Sequence, residues 1–232
     1  MQELSKTVFR SVAGLIANWR ISVRKSVSLS VMLLSLFFVF ACGSDNQQYG
    51  TLKPHPDHIP LTAPNGEASA FNGQYELIDH NGQSADQQRF AGRVSIIYFG
   101  FTSCPDVCPF ALGRLSAALD ELDRQTRDSI APIFITVDPK RDTAERLKEY
   151  LSFDERLIGL TGTPEQVKAA AASFKVYANE EPIEGSAVEY TMSHSSLFYL
   201  ADREAKPLYA FRDSIDPKDL AAALTQAVSW QR

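Results

Sequence analysis

Cys104 and Cys108 sit four residues apart and next to prolines, in the run Phe101-Thr-Ser-Cys-Pro-Asp-Val-Cys-Pro109. An apolar strand-like stretch precedes this run and a helical pattern follows it. In the first turn of a helix, positions i and i+4 share a face, so the two sulfurs would lie together. The free N–H groups and the dipole at a helix N-terminus favour thiolate over thiol. Thiolates bind soft metals and attack disulfides, so the pair suits metal handling or thiol–disulfide exchange. Two blander roles compete with these. Buried inert cysteines are common, and a structural disulfide is possible in an oxidising compartment. Such a disulfide would close a very short loop, and loop-entropy arguments give it little stabilising effect. The chain holds only three cysteines, too few for a disulfide scaffold or a four-cysteine zinc or iron–sulfur site.

The elements that must position the pair read as follows. Tyr75–Asp79 is a strand entering an Asn81-Gly82 turn, a hairpin signal. Val94–Gly100 is apolar throughout, as in a strand buried on both faces. Apolar residues at 111, 112, 115, 118, 119 and 122 give residues 110–122 a helical period. Further strands are expected at 132–137, 157–160, 195–200 and 206–211, with helices at 143–152, 163–174 and 217–230. The last two strands are close enough in sequence to form an antiparallel hairpin. The alternation implies one α/β domain over residues 71–232, with a mixed central sheet, helices on both faces and an N-terminal hairpin. Ligands collect at the carboxyl ends of strands in such sheets, which is where Cys104 and Cys108 fall.

The 232 residues are 44% hydrophobic and 22% charged, ordinary for a globular chain. The net charge of −5 divides unevenly: residues 1–42 carry +4 and the remainder −9. An acidic body argues against nucleic-acid binding. The basic front is followed by Ser26–Ala41, uncharged and mostly apolar, and then by Cys42-Gly-Ser. This layout is that of a secretory signal or membrane anchor. Val39-Phe-Ala-Cys42 resembles a bacterial lipobox, with Phe40 atypical for it, which would make Cys42 a lipid attachment point. The alternative is an uncleaved signal anchor. Either way the body is expected outside the cytoplasm, in a bacterial cell envelope, on the periplasmic side of the cytoplasmic membrane. Residues 43–70, with Pro54, Pro56, Pro60 and Pro64, read as a flexible tether. His55 and His58 within it read as solvated.

Tyr98-Phe-Gly-Phe-Thr-Ser-Cys-Pro-Asp-Val-Cys-Pro109 resembles the signature of the SCO/SenC family. Thr136-Val-Asp-Pro-Lys-Arg-Asp-Thr143 and Gly159-Leu-Thr-Gly-Thr163 are similar to further text of that family, and the likeness spans about residues 60–228. The resemblance implies a thioredoxin-like fold and a role in copper handling during cytochrome c oxidase assembly. It also implies that Cys104 and Cys108 are ligands, completed by a histidine from a later segment. His194, in Tyr190-Thr-Met-Ser-His-Ser-Ser, at the start of an expected strand, fits that role; His80, in a hairpin turn, does not. Two thiolates and one imidazole suit Cu(I) and also stabilise Cu(II). Two positions depart from the family pattern: Ser103 stands where His is usual, and Ser193 where Asp is usual. That Asp would orient the imidazole; Met192 offers a weak soft donor nearby.

Three functions remain in view. The first is a membrane-tethered metallochaperone that delivers copper to the oxidase subunit carrying the dinuclear copper site, with other periplasmic copper chaperones as further partners. The second is a thiol–disulfide oxidoreductase that sets the redox state of a partner's cysteines. The third is a peroxidase-like enzyme. The three-residue spacer between the cysteines, and the absence of proline from 190–196, set the chain apart from general thioredoxin-type reductases.

Overall fold

The computed structural model describes residues 51–62, 70–185 and 189–230. The expected signal and anchor over 1–42, including Cys42, therefore lies outside the described residues. Among the described residues no helix is long and apolar enough to cross a membrane.

Among the described residues, ten strands and five α-helices follow one another. The centre of the main sheet is β4 (Val94–Gly100) beside β5 (Ile130–Thr136), and every residue of both is buried. Their apolar, β-branched sequences suit strands covered on two sides. β4, β5 and β6 (Ile158–Thr161) are parallel. β9 (Leu197–Ala201) pairs antiparallel with β4, and β10 (Pro207–Arg212) pairs antiparallel with β9. At the far side, β2 (Glu76–Asp79) joins β6 and pairs with β3 (Ser84–Asp86), which completes the expected N-terminal hairpin. Gly82 turns that hairpin at φ +77°, and the Asp79 carboxylate accepts the N–H groups of Asn81 and Gln83 at 2.8 Å each. With β1 (His58–Pro60) on β10, the mixed sheet has eight strands in the order β1-β10-β9-β4-β5-β6-β2-β3.

Helices cover both faces, as β4 shows by alternation. The Tyr98 ring stacks on Phe134, which meets Tyr150 at the end of α3 (Ala144–Tyr150). From the opposite face Phe99 meets Phe174, which caps α4 (Pro164–Ser173), and Tyr199. α1 (Val107–Asp120) packs against α5 (Pro217–Ser229). α4 carries the expected start: Thr163 and Gln166 form a reciprocal capping box with Pro164 in the first turn.

The structure differs from the sequence reading in three places. α1 begins three residues early, so Cys108 lies in its first turn while Cys104 precedes it. The short helix α2 (Arg124–Asp128) and a 3₁₀ turn at Gln87–Phe90 were not expected, nor was a separate two-stranded ribbon, β7 (Ala178–Pro182) with β8 (Tyr190–His194). β7 reads Ala-Asn-Glu-Glu-Pro and is exposed along its whole length, so it has no apolar period to detect. His194 consequently ends β8 instead of opening β9.

The third difference concerns the tether. Within 43–70, Leu52 is 6% exposed, and its N–H donates to the Tyr209 hydroxyl at 3.1 Å. β1 covers the edge of β10, where a proline-bearing strand is tolerated because one side needs no donors. Nor are its histidines simply solvated. His55 lies 3.3 Å from the Asp219 carboxylate, and the His58 ring meets Phe211 edge-on at 5.0 Å.

The carboxyl ends of the three parallel strands are joined by one buried side chain. Asp142, with 0% exposure, accepts the Thr102 N–H at 3.0 Å and the Thr102 and Thr136 hydroxyls at 2.6 Å each. Its own carbonyl accepts the Thr161 hydroxyl at 2.8 Å. These residues follow or end β4, β5 and β6. Burial pushes the Asp142 carboxyl up from its ordinary range, and the bonds from Thr102 and Thr136 oppose that shift. Truncating Asp142 leaves three buried donors unsatisfied. Asp142→Ala is expected to cost about 2–4 kcal/mol of stability, read by urea denaturation. A loss below about 1 kcal/mol would contradict this account of the strand ends.

Candidate functional site

Thr102, fixed by Asp142, starts the loop that carries the first cysteine. The Cys104 N–H donates back to the Phe101 carbonyl at 3.2 Å, which folds the loop into a turn before α1. The first-turn N–H of Cys108 then points at the Cys104 sulfur, 3.5 Å away. Both cysteines are free thiols; Cys104 is half-buried and Cys108 fully buried. Gly100, at the end of β4, leaves room for this approach. A Cβ there would sit 2.9 Å from the Cys108 sulfur and 2.8 Å from the Phe134 ring.

The two thiols are driven in opposite directions. Cys104 is lowered to about 5, first by the hydrogen bond from Cys108, then by the N–H groups of Cys108 and Asp106 and by His194, against the cost of burial. Cys108 is pushed up, because it holds the proton that stabilises Cys104 and because it is buried. Near neutral pH the half-buried sulfur is therefore the thiolate and the fully buried one the thiol.

His194 approaches Cys108 from the end of β8. Its Nε2 lies 3.7 Å from the Cys108 sulfur, and its Nδ1 lies 3.0 Å from the Ser195 carbonyl. A carbonyl can only accept, so Nδ1 donates to it, and Nε2 is the ring nitrogen that faces the sulfur. The edges of Tyr98 and Phe101 flank the ring at 6.3 and 5.8 Å. The orienting task that the sequence reading assigned to the missing Asp thus falls to a backbone carbonyl. Ser193 is exposed and, by strand alternation, points to the other face of β8 from His194. Ser103 is also exposed.

The structure therefore brings Cys104, Cys108 and His194 into one row. Among the described residues, no three Cys, His, Asp or Glu side chains are already closed into a metal-holding cluster. The row is open at its Cys104 end. Met192 does not join it; its side chain lines a cleft of about 640 Å³ with Val137, Val167, Ala171 and Tyr177. His80 is structural, its Nδ1 accepting the Gly159 N–H at 2.9 Å.

Three polar residues behind Cys108 escaped the sequence reading. The Tyr98 hydroxyl, within hydrogen-bonding reach of Cys108, lies 2.7 Å from the Ser196 hydroxyl. Ser196 in turn donates to Asp213 at 2.7 Å. In sequence Tyr98 is one apolar residue of a strand, and nothing there marks its hydroxyl for use.

The polarity of the thiol pair has a direct test. Iodoacetamide should modify Cys104 before Cys108, with a rate that falls off only as the pH drops through about 5. Cys108→Ala removes the largest stabilising bond, so the profile should move up toward the ordinary thiol value of about 8.5. An unmoved profile would show that the helix N-terminus, not the partner thiol, holds the charge.

The SCO1/SenC family model matches residues 63–229. The "Protein sco1" of Schizosaccharomyces pombe is 35% identical over 89% of this chain and 78% of its own length. A "SCO2-like protein" of Rickettsia felis is 42% identical over 65% of this chain and 73% of its own. Among solved structures, copper-bound ScoI of Bradyrhizobium japonicum is 37% identical, covers 66% of this chain and 97% of its own, and superposes with a TM-score of 0.62. The mixed sheet with helices on both faces is the thioredoxin-like arrangement of those structures. By the family model and by identity across most of its length, this chain belongs to the SCO1/SenC family.

Proposed function

We propose that the protein binds one copper ion through Cys104, Cys108 and His194 and hands it to the subunit of cytochrome c oxidase that carries the dinuclear copper site. The single observation that supports this most is the approach of His194 Nε2 to within 3.7 Å of the Cys108 sulfur. Two ligands of one ion with bonds of about 2.0–2.3 Å lie roughly 3.6–3.8 Å apart at tetrahedral to trigonal angles. The donor set also fits, since two sulfurs and an imidazole suit Cu(I) better than oxygen-seeking ions. When bound, copper is cargo here. Burial keeps Cys108 out of water, while half-buried Cys104 and His194 are the donors a recipient can reach. The working place is the periplasmic side of a bacterial cytoplasmic membrane, with the N-terminus as tether, through lipid on Cys42 or an uncleaved helix.

A second reading rests on the opposed protonation of the cysteines. An accessible thiolate beside a protonated, buried thiol is the arrangement of an attacking and a resolving sulfur. Cys104 would attack a partner's disulfide, and Cys108 would then displace the partner's thiolate, leaving a Cys104–Cys108 disulfide and a reduced partner. The peroxidase-like reading gains less support: Arg146, two residues into α3, bonds the Thr102 hydroxyl.

Anaerobic Cu(I) titration against a competing chelator separates the two main readings. One ion per chain is expected, with binding abolished in Cys104→Ser and Cys108→Ser and weakened at least about tenfold in His194→Ala. Full affinity in His194→Ala, together with undiminished reduction of a partner disulfide, would favour the exchange role instead. A pH series supplies a further prediction. Since Cys104 is already a thiolate and Cys108 still protonated, binding should release one proton. Affinity should then rise about tenfold per pH unit between pH 7 and 8.5. A slope of two would mean that both thiols bind as acids.

A further inference from the structure

His194 is carried by β8, whose ladder partner is β7 alone; neither belongs to the main sheet. At the His194 end the Ser195 N–H donates to the Tyr177 carbonyl at 2.9 Å, the Tyr98 and Phe101 rings meet the imidazole in T-shaped contacts, and Ser196, two residues on, ties the chain to the body through the Tyr98 hydroxyl and Asp213 at 2.7 Å each. These contacts hold the chain at and beyond His194; how β8 approaches His194 is set from its other end.

At that other end a second polar tie holds β8 to the body. The Tyr190 hydroxyl donates to Asp138 at 2.8 Å. The Arg141 guanidinium carbon lies 3.9 Å from the centre of the Tyr190 ring, and Nη1 donates to the Tyr190 carbonyl at 2.9 Å. Arg141 Nε donates to Asp138, which is 1% exposed. On β7, Glu180 pairs with Lys140 of the same loop. Charge-assisted hydrogen bonds onto a buried carboxylate, with a cation stacked on an aromatic face, hold Tyr190 in one direction.

Residues 138–142 form a single short loop after β5. Its last residue, Asp142, fixes Thr102, two residues before Cys104. Its first and fourth, Asp138 and Arg141, hold Tyr190, four residues before His194. One loop therefore serves as reference for both halves of the site. We propose that Asp138, Arg141 and Tyr190 are positioning residues for His194, setting the imidazole against Cys108 and so deciding whether the third donor is in place. This rests on the three-donor reading above, and the test keeps the two separable.

Metal-free protein is examined first. Imidazole ¹⁵N spectra should show one position for His194 in the wild type and broadened or shifted resonances in Arg141→Ala. Tyr190→Phe should fall between, because its ring still receives the guanidinium while Asp138 loses a donor. In copper-loaded protein, Arg141→Ala should release copper about 10–100-fold faster and lose the histidine nitrogen splitting from the Cu(II) spectrum. Alkylation of Cys104 at pH 7 in the metal-free protein should stay at its wild-type rate. Unchanged imidazole resonances and unchanged release would overturn the proposal, as would equal loosening of Cys104, which marks a general loss of structure. If Arg141→Ala does not fold, Tyr190→Phe decides by the same resonances and release rate. If the resonances respond but wild-type copper binding proves independent of His194, the positioning stands and the copper-site reading fails.

Discussion

The site depends on a buried carboxylate that is not one of its donors. Asp142 gathers Thr102, Thr136 and Thr161 and so locks the ends of three parallel strands in one register. Because Thr102 lies two residues before Cys104, the loop that presents the thiolate inherits that rigidity. A carboxylate taken out of water is costly unless its oxygens are satisfied. Here two hydroxyls and an N–H meet them, so the bonds that offset burial are the same ones that place the cysteine loop.

On that platform the two cysteines, chemically identical in sequence, become unlike. Cys108 sits at the buried start of α1 against the glycine that ends β4, where a charge would be costly. Cys104 sits at the rim, where first-turn N–H groups and the neighbouring thiol stabilise charge. The pair thus holds one proton and one negative charge in an ordered way. The same polarity serves a sulfur that must take up copper and one that must attack a disulfide, which explains why both functions suggest themselves for a single site.

Much of this was legible beforehand. The spacing of the cysteines, the buried runs 94–100 and 132–137 and the Thr163-Pro164 helix start all carry local physics, namely alternation, helical period and capping, and these survive in the fold. The ribbon β7–β8 and the docked segment around Leu52 carried no such mark. Ala-Asn-Glu-Glu-Pro has no apolar face, and a three-residue strand among prolines looks like linker until another strand offers it an edge. The hydroxyl of Tyr98 was hidden for the related reason that its residue type already had a use as core.

The sequence by itself determined which atoms could do chemistry here, since sulfur at i and i+4 before a helix, and family-like text around it, are properties of the chain in order. It also determined that strands and helices alternate, because periodicity is local. What only the tertiary structure decided is the relation between distant parts: that His194 Nε2 faces Cys108, that the Ser195 carbonyl replaces an absent acidic residue as its orienter, and that one thiol is driven toward its charged form and the other away from it. Each of these depends on distance and burial between residues far apart in the chain, and those quantities come into being only when the chain packs.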